Sequence, residues 1–197
     1  QEKGLQPGEI PEAWNEEHAE IIIEIHRSYY DSGANIATAN TFGANPIKTS
    51  NYKTYITSAI CNAKKAKYSN EQFVALDIGP TGKLLKPLGD MDFEDAVSLF
   101  GKNASLAEKY GADLILIETM NDALETKAAV LGCKESCNLP VFVTNVYDEG
   151  GKLMTGATPE AMIALLESLG VSALGMNCSL GPDKMLPLIE RFTENAS

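Results

Sequence analysis

The feature that most constrains the fold is a regular alternation of short apolar runs with longer amphipathic segments. The apolar runs are rich in isoleucine, valine and leucine, and they start about 30–40 residues apart. They cover residues 35–39, 73–76, 114–117, 141–146 and 173–176. The run 114–117 is apolar at every position, which is typical of a parallel strand covered on both faces.

The segments between these runs have the pattern of helices. The sequence predicts helices over residues 17–32, 46–67, 92–110, 122–136, 159–168 and 183–194. Asp92 and Thr158 suit N-cap positions, and glycines at 33, 111 and 170 suit helix ends. This alternation predicts a parallel α/β protein, either a doubly wound sheet or a (β/α)₈ barrel. The sequence has no G-x-G-x-x-G or G-x-x-x-x-G-K-[ST] motif, which argues against the nucleotide-binding versions of these folds. Its five predicted strands are fewer than the eight of a barrel.

Composition excludes several function classes. The chain of 197 residues carries 16 basic and 27 acidic side chains, a net charge of −11, which argues against binding to a nucleic-acid backbone. No apolar run approaches the roughly 20 residues of a membrane span, and no signal peptide is recognisable. Four unevenly spaced cysteines without a secretory signal indicate reduced thiols. We therefore expect a cytoplasmic protein without nucleic-acid or membrane partners.

Polar residues or a thiol follow each predicted strand, where parallel α/β proteins bind ligands. Strands commonly end in polar loops, so any single case has an ordinary explanation. All five together favour a ligand site. The residues at or directly after the ends of the runs are Asn40 and Thr41, Asp77, Glu118, Asn145, and Asn177 with Cys178.

Several of these residues belong to motifs that resemble one family. The runs Trp-Asn at 14–15, Asn-Thr-Phe-Gly-Ala-Asn at 40–45, Asp-Ile-Gly-Pro-Thr-Gly at 77–82, Ile-Glu-Thr-Met at 117–120 and Gly-Met-Asn-Cys-Ser at 175–179 occur in this order. The sequence resembles the homocysteine S-methyltransferase superfamily, and most of all the homocysteine-binding domain of its cobalamin-dependent methionine synthase branch. Ala39 and Asn35 depart from residues common in the family, and neither touches the expected chemistry.

The resemblance implies a TIM barrel, here incomplete, in which the five strands are the second to the sixth. Residues 1–197 are then a partial homocysteine-binding domain that lacks the first strand and the C-terminal strands. We expect such an internal fragment to have two open sheet edges, to be unstable and to be inactive by itself.

The resemblance also implies the chemistry. A zinc ion held by three cysteine thiolates binds the homocysteine thiolate, which takes a methyl group to give methionine. Cys178 would be one zinc ligand, and the adjacent cysteine pair that supplies the other two does not occur in this sequence. The methyl donor would be methylcobalamin, recharged from 5-methyltetrahydrofolate, on cobalamin and folate modules.

The resemblance further implies roles for the remaining site residues. Glu118 would bind the substrate ammonium group, because a carboxylate in a partly dry mouth attracts a cation more strongly than one in water. Asn177, Asn40 and Thr41 would hydrogen-bond the amino-acid head group. Asp77 would position the substrate or order the Gly-Pro turn that follows it.

Other interpretations of the chain and of its remaining cysteines and histidines stay open at this point. The protein could instead be a betaine- or S-methylmethionine-dependent homocysteine methyltransferase, a non-catalytic barrel module, or an unrelated barrel aldolase or phosphate-sugar enzyme. The sequence favours packing roles for the remaining cysteines and ordinary helix roles for the two histidines. These residues are Cys61, Cys133, Cys137, His18 and His26.

Overall fold

The computed structural model describes residues 3–197, which form an alternating series of helices and strands. The helices are α1 (Trp14–Glu17), α2 (Ala19–Asp31), α3 (Tyr52–Ala66), α4 (Phe93–Tyr110), α5 (Ala123–Ser136), α6 (Pro159–Ser168) and α7 (Pro182–Asn195), with a short 3₁₀ turn at Pro11–Ala13. The strands are β1 (Ile36–Thr38), β2 (Phe73–Ile78), β3 (Leu114–Met120), β4 (Val141–Asn145) and β5 (Ala173–Met176). Within the described residues, no helix is both long and apolar enough to cross a membrane.

The strands form one parallel sheet in the order β1-β2-β3-β4-β5, so each strand pairs with its neighbours in sequence. The predicted α/β class and parallel order are confirmed. The sheet is open, because β1 and β5 each have only one partner strand within residues 3–197.

Helices cover one face of the sheet, which we call the outer face. Alternate strand residues such as Leu76, Ile115 and Val143 point into this layer and are at most 1% exposed. The helices approach each other closely at two glycines of α4 and α5. A Cβ atom on Gly132 would lie 2.3 Å from the carbonyl oxygen of Val97 and 2.9 Å from the backbone nitrogen of Gly101.

The opposite face, the inner face, is only partly covered. The side chains of Ile36 and Phe73, which pair across β1 and β2, are 40% and 42% exposed. Alternation along β2 and β3 places Asp77 and Glu118 on this same face. The inner face therefore carries the ionisable residues of the two strands.

Two predicted helices have different bounds in the structure. The predicted helix over 17–32 is two helices that begin at Trp14, interrupted at His18, whose backbone (φ −137°, ψ 43°) is not helical. The predicted helix over 46–67 begins only at Tyr52. The side chain of Asn45 accepts hydrogen bonds from the backbone nitrogens of residues 47 and 48, which favours a turn over a helix there.

The cysteines and histidines divide between core and surface. Cys133 and Cys137 are buried, as predicted, whereas the predicted packing role of Cys61 is wrong because its side chain is exposed on α3. His26 is buried in α2, and the exposed His18 ring lies 4.3 Å from the Trp14 ring, centroid to centroid.

Candidate functional site

Two carboxyl groups lie on the inner face near the carboxyl ends of β2 and β3. Asp77 pairs with Leu116 in the sheet register, so Glu118 lies one inner-face position farther along β3. The two side chains are near enough for the charge of Glu118 to perturb Asp77. The structure therefore brings together two of the predicted site residues.

Asp77 is held in an unusual state for an aspartate. Its side chain is 8% exposed, and the buried Oδ1 atom has no hydrogen-bond partner. Burial, and then the charges of Glu118 and Glu12, raise the pKa of Asp77 to about 8. Its carboxyl group consequently carries a proton at neutral pH.

Glu118 is half-buried, and burial raises the pKa of its carboxyl group above the ordinary value. A carboxylate in this setting has lost part of its water but faces the open side of the sheet. It can regain the lost solvation by binding a cation, such as the ammonium group of an amino acid.

Glu12 is a third carboxyl group in this region, and sequence reasoning missed it. It is 5% exposed, and its Oε1 accepts a hydrogen bond of 2.5 Å from the backbone nitrogen of Gly43. A Cβ atom on Gly43 would lie only 2.7 Å from that oxygen, so a larger residue there would displace the Glu12 carboxyl group. Gly43 lies within the family-like run 40–45, but only the tertiary fold reveals its partner.

Thr41 and Asn40 link the first two strands. The Thr41 hydroxyl donates to the Asp77 carbonyl at 2.8 Å and accepts from the Asp77 backbone nitrogen at 3.0 Å. The Thr41 hydroxyl thus holds the backbone of Asp77. The Asn40 amide nitrogen donates to the carbonyl of Pro11 at 2.8 Å, while Asn40 and Asp77 both line a cavity of about 750 Å³.

A second cluster joins the ends of β3 and β5. The Asn177 amide oxygen accepts from the backbone nitrogen of Thr119 at 3.1 Å, and its amide nitrogen donates to the Thr119 hydroxyl at 2.8 Å. The same nitrogen lies 3.4 Å from Sγ of Cys178. The amide group of Asn177 therefore orients Thr119 and the thiol of Cys178.

Backbone strain is concentrated at this cluster. Within residues 3–197, the non-glycine residues with positive φ are Thr119 (60°), Cys178 (57°) and Ser179 (49°). Such conformations cost free energy and persist only where the surroundings hold them, most often at functional sites. Here the Asn177 bonds and a 2.6 Å hydrogen bond from the Ser179 hydroxyl to the Tyr147 carbonyl hold the two strand ends.

The loop after β2 is fixed from the neighbouring helix. Buried Glu125 accepts hydrogen bonds from the Thr81 backbone nitrogen at 2.8 Å and from the Thr81 hydroxyl at 2.6 Å. Asp122 caps α5 by accepting from the Glu125 backbone nitrogen at 2.6 Å. The Gly-Pro-Thr-Gly turn thus has a defined position beside Asp77.

The predicted zinc ligand lies at the expected edge, but it stands alone. Cys178 is exposed, and no group of three metal-binding side chains occurs within residues 3–197. One thiol does not make a zinc site, since such sites need three or four protein ligands. The residues of this chain therefore do not fit a complete metal centre by themselves.

Sequence comparison relates the chain to methionine synthases. The sequence is 29% identical over 202 residues to a methionine synthase of Mycobacterium leprae, covering 94% of this chain and 17% of that protein. A methionine synthase of Mycobacterium tuberculosis matches equally, with 29% identity and the same coverage. The chain thus spans about a sixth of the length of these relatives.

The fold of the chain is similar to that of a solved homocysteine methyltransferase. The metallated form of the homocysteine methyltransferase MmuM from Escherichia coli superposes with a TM-score of 0.84 at 20% identity, covering 99% of this chain and 76% of that one. This likeness confirms the predicted barrel type of fold, while the numbering of the strands as second to sixth stays a prediction. The profile of the family described as homocysteine S-methyltransferase matches residues 3–197. The chain therefore belongs to the homocysteine S-methyltransferase family.

Proposed function

We propose that this chain is the homocysteine-binding part of a methionine synthase, which transfers a methyl group to the homocysteine thiolate in the cytoplasm. The observation that carries the proposal is the junction between the ends of β3 and β5. Thr119 follows Glu118 in sequence and is bonded to Asn177, which precedes Cys178. A group that attracts an ammonium ion and a thiol are thus coupled at one edge of the sheet, as an α-amino acid with a terminal sulfur requires.

The residues have distinct roles in this proposal. Glu118 binds the substrate ammonium group, and Asn40 contributes polar contacts beside it. Asn177 positions Thr119 and Cys178 rather than touching the substrate, because its amide is already bonded to them. Thr41 holds the Asp77 backbone and is not free for the substrate.

Zinc enters the proposal through the family and not through a complete site in this chain. Cys178 would supply one thiolate, and two more would have to come from outside the described residues. Bound zinc stabilises a coordinated thiolate at neutral pH, which is the chemistry this transfer needs.

The methyl donor in the proposal is methylcobalamin, recharged from 5-methyltetrahydrofolate. The support is the match to methionine synthases that extend far beyond this chain, which leaves room for cobalamin and folate modules. A homocysteine methyltransferase with a betaine or S-methylmethionine donor is the second candidate, because the family description names homocysteine methyl transfer without a methyl donor.

The test uses the protein in its full natural length. Cys178→Ser should remove stoichiometric zinc, measured by mass spectrometry, and abolish methionine formation from homocysteine and methylcobalamin. Cys61→Ser is the matched control, because Cys61 is the other exposed cysteine of residues 3–197 and lies on α3. Glu118→Gln should keep its zinc and weaken homocysteine binding. Full zinc and activity in Cys178→Ser would overturn the proposal, as would methionine formation from betaine or S-methylmethionine alone.

A further inference from the structure

The pairing of β3 with β4 is irregular at one place, close to the carboxyl end of both strands. Ile117 of β3 pairs with Val143 of β4. The next pair is Met120 with Asn145, so three steps along β3 match two steps along β4. The extra residue of β3 therefore lies within residues 118–119 and forms a β-bulge. Bulges re-aim side chains and are over-represented next to active sites.

Thr119 is an unusual residue for the backbone of this bulge. Its φ of 60° lies in the left-handed region, where a β-branched side chain is strained. Glycine adopts this conformation at no steric cost. A strained residue at such a position points to a role for its side chain, and in threonine that side chain carries a hydroxyl group.

The hydroxyl of Thr119 lies between an amide group and a thiol. The Asn177 amide oxygen accepts a hydrogen bond from the Thr119 backbone nitrogen at 3.1 Å, which fixes the end of the amide that carries the hydrogens. The amide nitrogen donates to the Thr119 hydroxyl oxygen at 2.8 Å, and that oxygen lies 3.9 Å from Sγ of Cys178. One lone pair of the hydroxyl is therefore occupied, and its hydrogen can point at the sulfur.

The chemistry of a thiolate sets the direction of this contact. In the proposed function Cys178 acts as a thiolate, which has no hydrogen to donate. The Thr119 hydroxyl is then the donor and the sulfur is the acceptor. The Asn177 amide nitrogen, 3.4 Å from the same sulfur, is a second donor. Hydrogens from the bulge in β3 and from the residue before Cys178 thus converge on one sulfur atom.

We propose that Thr119 is a positioning residue for the reaction, whose hydroxyl group holds the sulfur of Cys178 in place. The bulge in β3 directs the hydroxyl towards the end of β5, and the Asn177 amide orients it. The inference rests on the proposed function, because it assumes that Cys178 belongs to the methyl-transfer site. It divides the work between two neighbouring residues, since Glu118 serves the head group of the substrate and Thr119 serves the sulfur side.

The test uses the protein in its full natural length and two measurements. One is the turnover of homocysteine with methylcobalamin, and the other is inhibition by L-2-aminobutyrate, which has the amino-acid head group but no thiol. Thr119→Val keeps the shape of the side chain and removes the hydroxyl, so the turnover number should fall about tenfold. The inhibition constant of L-2-aminobutyrate should stay within about twofold of the wild type, because the head-group side is unchanged. Thr119→Ser keeps the hydroxyl and should recover most of the turnover.

Further variants control for effects on folding. Thr119→Gly fits the left-handed backbone without a hydroxyl, and it should lose turnover and keep inhibition in the same way as Thr119→Val. Thr57→Val is the matched control, because the Thr57 hydroxyl donates at 2.8 Å to the carbonyl of Lys53 in its own helix, α3. It should behave like the wild type.

The possible outcomes separate this inference from the proposed function. Wild-type turnover in Thr119→Val or Thr119→Gly, or no recovery in Thr119→Ser, overturns the inference and leaves the proposed function standing. Turnover and inhibition that are lost together would show a purely structural role for Thr119 and would also overturn the inference. A wild-type protein that forms no methionine from homocysteine and methylcobalamin overturns both.

Discussion

The two faces of the same sheet differ in what they do. In β2, Leu76 and Ile78 are buried under helices to within 2% of their surface, while Phe73 on the other face is 42% exposed and Asp77 faces a cavity. The outer face is mostly apolar, and helices bury it along β2, β3 and β4. The inner face collects the carboxyl groups and the cavity. Alternate residues of one strand therefore serve different purposes: those on the outer face form the core, and those on the inner face form the candidate site.

The largest expected effect compares how much the two faces contribute to the free energy of unfolding. Phe100 is 1% exposed in the core beneath the outer face, so Phe100→Ala should lower the free energy of unfolding by about 3–5 kcal/mol. Phe73→Ala on the inner face should cost less, about 1–2 kcal/mol, because part of the ring is already in water. Urea unfolding of both variants measures the two costs. Equal losses would mean that the inner face is as tightly packed as the outer one.

The second prediction concerns pH. The pKa of Asp77 is about 8 in the folded chain against an ordinary 3.8, so unfolding between these values releases a proton. The stability of the wild type should therefore fall as pH rises through this window, by up to about 1.4 kcal/mol per pH unit.

Asp77→Asn should lose this dependence and be more stable than the wild type at pH 8 by a few kcal/mol, with a much smaller gain near pH 4. Chemical unfolding at the two pH values checks it. Phe100→Ala, on the outer side, should lose the same free energy at both. An Asp77→Asn variant with the wild-type pH slope would refute the proposed protonation of the inner face.

A smaller effect compares two glycines. Gly132→Ala should destabilise by about 1–3 kcal/mol, since the new methyl group would meet the backbone of α4 at 2.3 Å and force α4 and α5 apart. Gly175→Ala in β5 has nothing within 4 Å and should change stability by less than about 0.5 kcal/mol. Thermal unfolding of the two variants gives the contrast, and a neutral Gly132→Ala would contradict close packing on the outer side.

The smallest expected change in stability is at the strained junction. Asn177→Ala removes the bonds to Thr119 and should cost about 1 kcal/mol. The same substitution frees the turn at Cys178, so iodoacetamide should alkylate that thiol faster, with Cys61 as the internal reference. An unchanged ratio of the two alkylation rates would show that Asn177 does not position the thiol.

The sequence predicted those features that depend on local patterns. Continuous apolar runs such as 114–117 gave the strands, and the residues directly after them included Asp77, Glu118 and Cys178. Glu12 was missed because its partner, Gly43, is 31 positions away in the chain and no periodicity links them.

Side-chain geometry explains the other differences. The hydroxyl of Thr41 looked available for a substrate, yet it is bonded to the backbone of the adjacent strand. Cys61 has the spacing of a helical residue, but it lies on the side of α3 that faces water. Such choices depend on which neighbours the folded chain provides.

The sequential strand order has a consequence for synthesis on the ribosome. Because β2 pairs with β1, β3 with β2, and so on, each new strand joins an edge that has already emerged. Within residues 3–197, no strand has to be inserted between two that are already paired. Each of these strands can therefore add to the growing sheet in the order β1 to β5 as the chain is synthesised.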